Sequence, residues 1–344
     1  MNYSFTTLAE SYLHRLDSVA VPLSPDWGIR WYGLAYAAGF IVAWLLIRWM
    51  ARTGRSLIPE RAVGDLMMYS VVGVLVGGRL GYALFYRPEL FLTFSASPPW
   101  WELLAIHHGG MASHGGILGV VIAMCVFARK NQLPALHLVD MVAIAAPPGL
   151  FFGRLANFIN GELWGKRLSD AMQIDPPWWS VKYPEEIYLG TVDVSSVATS
   201  VGGETTLHTQ IVESLRSADP VVTEAIIGQL TAWWPSQLFQ AMTDGPILMV
   251  ILVAVWWRPR RPGIVGGWFL IGYGALRIVT EVIRQPDDGV ALLFGMQRGQ
   301  LLSVGMILFG IVMIVLCSRR SVQAIGGLWR SSQNKNNLKT KHPV

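Results

Sequence analysis

The sequence predicts an all-α polytopic membrane protein of about seven transmembrane helices, with a small extramembrane domain on its outer face. Three observations predict it. Of the 344 residues, 52% are hydrophobic and only 14% charged, against about 25% charged in soluble domains. The apolar residues gather into runs close to the length of a bilayer span, and the basic residues gather between those runs.

A helix needs about 20 apolar residues to cross ~30 Å of hydrocarbon at ~1.5 Å per residue. Runs of this kind lie at Trp31–Met50, Asp65–Tyr86, His114–Ala128, Val139–Phe158, Gln237–Trp257, Ile264–Ile283 and Leu301–Cys317. The third is short. Its Gly109-Gly110 and Gly115-Gly116 pairs predict a re-entrant or irregular start, which is tolerated only where protein or a water-filled cavity covers the backbone.

Basic residues near span ends stay in the cytoplasm. Arg48, Arg52, Arg55 and Arg61 flank the first loop, Arg129 and Lys130 the third, and Arg258, Arg260 and Arg261 the fifth. With Arg319, Arg320, Arg330, Lys335, Lys339 and Lys341 in the tail, 15 of the 27 Lys and Arg residues fall on one side. That side is predicted to be cytoplasmic, with the C-terminus, which places the N-terminus outside. The isoelectric point of about 9.3 then follows from topology and does not call for nucleic acid as a partner. The first thirty residues lack the pattern of a removable signal peptide, so the first span is expected to direct insertion.

The chain divides into four spans over residues 1–164, a hydrophilic insertion over 165–235, three spans over 236–318, and a basic tail over 319–344 that is expected to be disordered. Within the insertion, Glu186–Val192 and Val194–Val201 read as strands, and Gln210–Ser217 and Val221–Ala232 as helices. Cys125 and Cys317 lie inside separate spans, which argues against a disulfide framework or a cysteine metal site.

Ionisable groups at membrane depth are costly, about 2.5–3.5 kcal/mol for a central Arg, and point to a site by default. Arg154 and Asn157 share one helix face and lead into Asn160, Gly161 and Glu162. Tyr273, Arg277 and Glu281 form a second polar stripe at four-residue spacing. A guanidinium fork beside an amide suits a phosphate headgroup. The bland alternatives are arginines that snorkel or pair, and Glu162 and Glu281 as structural partners that orient them. His107, His108 and His114 fit no familiar zinc spacing and have no local fourth ligand, so no metal is predicted. Framed by glycines, His114 is the better candidate proton acceptor, since imidazole titrates near pH ~6.5.

Several segments carry a resemblance, in order along the chain: RWYGL at Arg30–Leu34, GGRLGYALFY at Gly77–Tyr86, GGMASHGGILG at Gly109–Gly119, GRLANFINGELWG at Gly153–Gly165, PSQLF at Pro235–Phe239, YGALRIVTEVIRQPD at Tyr273–Asp287 and RGQLLS at Arg298–Ser303. Together they resemble the prolipoprotein diacylglyceryl transferase family. The resemblance implies transfer of a diacylglyceryl group from phosphatidylglycerol to the lipobox cysteine of a preprolipoprotein, without metal or organic cofactor. It places the phosphate on Arg154 and Arg277, with Asn157, Asn160 and Tyr273 in its hydrogen-bond shell and Tyr32 lining the same cavity. It makes His114 either the thiol's base or a positioning group. The chain departs from the family pattern at His108, Lys166, Trp234, Phe239 and Gln240 and in the length of its insertion, all on the side where a peptide would be recognised. The residues alone also fit a lipid transporter or flippase whose arginines bind without reacting, and an assembly protein.

Overall fold

The computed structural model describes residues 11–24, 27–96, 98–106, 109–198, 204–285 and 296–329. In chain order these form strands β1 (Tyr12–Leu13), β2 (Val19–Ser24) and β3 (Trp27–Arg30), then helices α1 (Trp31–Arg52), α2 (Val63–Phe85), α3 (Ser113–Lys130) and α4 (Ala135–Ile159). The insertion follows, with α5 (Asp170–Ile174), β4 (Val181–Lys182), α6 (Ser195–Ala198), α7 (Glu204–Arg216) and α8 (Pro220–Ile226). The chain then runs through α9 (Ser236–Met242), a π-turn at Thr243–Ile247, α10 (Leu248–Val255), α11 (Ile264–Glu281) and α12 (Arg298–Ser318).

Among the described residues, six helices are long and apolar enough to span a membrane: Trp31–Arg52, Glu60–Phe85, Ala135–Ile159, Ser236–Val255, Ile264–Glu281 and Gly299–Ser318. They coincide with six of the seven predicted spans. The remaining one, α3, is longer than predicted, and at 18 residues reaches about 27 Å. Apolar side chains along α12, among them Leu308, Phe309, Val312 and Leu316, face outward, as expected where lipid is the solvent.

The contacts divide the chain into two compact units, one holding Met1–Gly39, Pro147–Val250 and Ile271–Leu308, the other Phe40–Ala146, Ile251–Leu270 and Phe309–Val344. In the second unit α2 and α3 meet along glycines, because a Cβ at Gly73 or Gly81 would lie 2.7–2.8 Å from the backbone of Gly119 or Gly115. Small residues at this spacing let membrane helices pack backbone to backbone. Gly109 and Gly110, with φ of +81° and +79°, make the predicted irregular start, whereas Gly115 and Gly116 are helical, so that part of the prediction fails. Arg79 fastens this entry, donating to the carbonyls of Glu102, Leu103, Gly109 and Gly110 at 2.6–3.1 Å. Asp140 on α4 accepts from the Gly263 and Gly266 backbone at 2.8 Å each, capping the start of α11.

Residues 319–329, expected to lie in a disordered tail, are held by backbone bonds in both directions between Ile325 and Arg260 and by Trp329 N–H to the Trp257 carbonyl. Residues 330–344 lie outside the described residues.

In the first unit the insertion has its own core of Ile187, Val192, Val197, Ile211, Val212, Leu215, Val222, Ile226 and Leu230, completed by Leu13 from β1. Strand β1 pairs in parallel with β4, Tyr12 opposite Val181. The predicted strand at Glu186–Val192 is instead a 3-10 helix over Pro184–Leu189, and that at Val194–Val201 holds the helical turn α6, with residues 199–201 outside the described ones. Buried Glu186 overrides the local β preference, since its carboxylate takes Thr231 N–H, the Thr231 hydroxyl and the Trp233 indole. The two predicted helices are present with shifted bounds: α7 begins at Glu204, before the expected Gln210, and α8 ends at Ile226, six residues short of the expected Ala232. Asp219 caps α8 through Val221 and Val222 N–H, with Pro220 at the first helical position.

Candidate functional site

The site grows from the C-terminal end of α4. Gly39 of α1 packs against Gly149 of α4 so tightly that a Cβ on Gly39 would lie 2.9 Å from the Gly149 Cα. Two turns from that contact, toward the start of α1 and the end of α4, Tyr32 meets Asn157, whose amide donates to the tyrosine hydroxyl. The same hydroxyl contacts the Glu162 carboxylate, which also accepts from Asn160 Nδ2 at 3.1 Å. Gly161, at φ +63°, turns the chain between these two, and Trp164 Nε1 donates to its carbonyl at 2.7 Å.

One turn before Asn157, Arg154 donates from Nε to Asp244 Oδ2 at 3.0 Å. Asp244 is completely buried, whereas the Arg154 side chain keeps 19% exposure. On α11, Arg277 pairs with Glu281 at 3.1 Å, and Arg284 reaches the other oxygen of Glu281 at 3.2 Å. Gly299 leaves room for that carboxylate, since a Cβ there would lie 2.9 Å from Oε1. Tyr273 lies beside both Arg154 and Arg277. The two arginines feel each other's charge, and Asp244 feels both.

Arg154, Asn157, Tyr273 and Arg277, read from opposite halves of the sequence, thus converge, and Tyr32, Asn160, Gly161, Glu162 and Glu281 join them. Arg277 Nη1 and Asp244 Oδ1 are buried without a hydrogen-bond partner. A buried guanidinium nitrogen left unsatisfied costs ~1–3 kcal/mol or more, so this node is chemically prepared for an anion. His114 belongs to the other unit, where it is exposed in the first turn of α3. His108, one of the departures from the family pattern, lies outside the described residues.

The sequence reading missed Asp244, although a lone carboxylate in an apolar run was a signal in plain view. It also missed the base of the insertion, where Arg216 pairs with Glu185 at 2.6 Å and Glu185 abuts Gly161. Beside them, fully buried His14 contacts Phe158 O through Nε2 at 2.8 Å, while Nδ1 has no partner. Burial holds the His14 pKa below its ordinary value, against the opposing pull of Glu185.

The profile of the prolipoprotein diacylglyceryl transferase family matches residues 18–316. The chain belongs to this family. A phosphatidylglycerol–prolipoprotein diacylglyceryl transferase of Bdellovibrio bacteriovorus is 39% identical, the match covering 95% of this chain and all of the relative. Relatives of the same name from Rhodospirillum rubrum and Yersinia enterocolitica are 36% and 37% identical over 91% and 92% of the chain, and 96% and 100% of their own lengths. Membership in a diacylglyceryl transferase family gives the converged arginines a transferase setting.

Proposed function

We infer that this chain transfers the sn-1,2-diacylglyceryl group from phosphatidylglycerol to the lipobox cysteine thiol of a preprolipoprotein, the first step of lipoprotein maturation. The thiol sulfur bonds to the terminal glyceryl carbon as the bond from that carbon to the phosphate oxygen breaks. The thiol's proton is released, and the phosphate leaves on glycerol 1-phosphate. The observation that carries the reading is the convergence of Arg154 and Arg277 at a buried node with an uncommitted guanidinium nitrogen.

Breaking that carbon–oxygen bond adds negative charge to the phosphate. Two guanidiniums placed there stabilise the transition state more than the bound lipid. Asn157, Asn160 and Tyr273 complete the phosphate's hydrogen-bond shell, Tyr32 and Glu162 hold the asparagines, Gly161 admits the turn, and Glu281 orients Arg277. The thiol, with an ordinary pKa near ~8.5, must lose its proton to attack, and His114 accepts it or holds the peptide in place. On this reading the ends carrying Arg48, Arg129 and Arg258 face the cytoplasm with the C-terminus, and the N-terminus and the 165–235 insertion face outward.

The test is incubation of purified protein with phosphatidylglycerol and a lipobox peptide. The expected result is the diacylglyceryl mass increment on the peptide cysteine, lost in folded Arg154→Ala and Arg277→Ala variants. Saturable lipid binding with no increment would establish a carrier instead.

A further inference from the structure

We propose that Asp244 is a positioning residue for this reaction: it fixes the orientation of Arg154 and balances the charge of the two-arginine node. The inference rests on the proposed function and adds a residue to it.

Asp244 is placed by three local devices. It sits in the π-turn Thr243–Ile247, where one extra residue per turn re-aims the side chains of an otherwise α-helical span. Pro246 follows two residues later and, having no N–H, cannot close the regular helical bond there. Between them, Gly245 packs against Phe151: a Cβ on Gly245 would lie 2.6 Å from the Phe151 Cβ. Phe151 precedes Arg154 by one turn of α4. The close approach that only glycine permits therefore sets the spacing of the Asp244–Arg154 pair.

The chemistry follows from which atoms are engaged. Asp244 takes Nε–H of Arg154, and Tyr273 also lies against the guanidinium, so the carboxylate occupies one edge of the planar fork. Its Oδ1 is buried and unpartnered, and its charge also reaches Arg277. A carboxylate spent on one edge of Arg154 leaves the other edge for phosphate, and one negative charge between two cations keeps the node from trapping the more highly charged product.

Charge and geometry are separable. In Asp244→Asn the carboxamide still accepts from Nε but the charge is gone. We expect unchanged or lower KM for phosphatidylglycerol, kcat reduced by about 30–100-fold, and product inhibition by glycerol 1-phosphate strengthened by about tenfold. In Asp244→Glu the charge remains on a longer arm, so product inhibition stays near that of the wild type while kcat falls by roughly tenfold. Gly245→Ala, with Asp244 intact, should reproduce the kcat loss without the change in product inhibition. The measurements are steady-state transfer to a lipobox peptide in phosphatidylglycerol micelles and inhibition by added glycerol 1-phosphate, on variants with a cooperative unfolding transition.

Folded Asp244→Asn and Asp244→Glu variants that keep kcat within about twofold overturn the role, as does a parallel rise in KM with unaltered product inhibition. If the Asn variant does not accumulate, the Glu variant decides by its kcat alone. Absence of transfer by the wild type overturns the proposed function and this role with it. Transfer by the wild type with an indifferent Asp244 overturns this role alone.

Discussion

Gly161 lies against the carboxylate of Glu185, whose carboxyl carbon and nearer oxygen are both 3.0 Å from where a Cβ on Gly161 would be. The turn that closes the site at the end of α4 is therefore seated on the insertion, and the Glu185–Arg216 pair is part of that seat.

Gly161→Ala meets both the carboxylate and a φ of +63°, a region that L residues enter at a cost of about 1–2 kcal/mol. The variant should unfold at a lower temperature and transfer more slowly. An unaltered thermal midpoint and rate would mean the turn yields without consequence.

Arg277→Lys keeps the charge but replaces the planar fork with a single ammonium, which cannot hold Glu281 and present a second nitrogen to phosphate together. A loss of at least ~100-fold in single-turnover transfer is expected in a folded protein. Transfer close to that of the wild type would reduce Arg277 to a generic positive charge.

His14→Gln tests a pH dependence. Because the folded protein holds the His14 pKa below its ordinary value, the unfolded chain binds more protons in this range, and stability falls as pH drops below about 6.5. The slope from this residue cannot exceed about 1.4 kcal/mol per pH unit. Glutamine can still donate to the Phe158 carbonyl, so unfolding midpoints between pH 7 and 5 should be flatter in the variant than in the wild type. Equal slopes would assign the acid sensitivity to other groups.

Gly119→Ala places a methyl group on the Gly73 carbonyl oxygen, where backbone meets backbone. Helices α2 and α3 must separate, at an expected cost of about 2 kcal/mol or more. Denaturant unfolding in micelles measures it, and a cost under about 0.5 kcal/mol would show that the seam can slide.

His114→Gln distinguishes the two roles left to that residue. A base should lose at least ~100-fold in rate, with the loss shrinking as pH rises and the thiol ionises unaided. A positioning residue should lose affinity for the peptide at every pH.

The spans and the arginine stripes were legible because both obey fixed local periods: about twenty apolar residues per crossing, and three or four residues between neighbours on a helix face. Arg154 with Asn157, and Tyr273 with Arg277 and Glu281, needed only that arithmetic. Tyr32 came through the resemblance alone, since its contact with Asn157 depends on Gly39 and Gly149, two turns away. Asp244 stood out as a lone carboxylate in an apolar run, but its pairing with Arg154 was not legible, because its direction is set by a π-turn whose extra residue leaves no periodic mark. The insertion misled because Glu186, buried against Thr231 and Trp233, stands in a stretch that reads locally as a strand.

Leu13 completes the core of an insertion whose other members run from Ile187 to Leu230, and its strand waits for Val181 and Lys182. A ribosome adding roughly 5–20 residues per second leaves the N-terminal segment waiting on the order of ten to forty seconds for that partner. Three helices long and apolar enough to cross a membrane are made in the meantime. The apolar face of β1 thus stays uncovered until the insertion is made, and the end of α4, which His14 touches at Phe158, takes its final packing only after that.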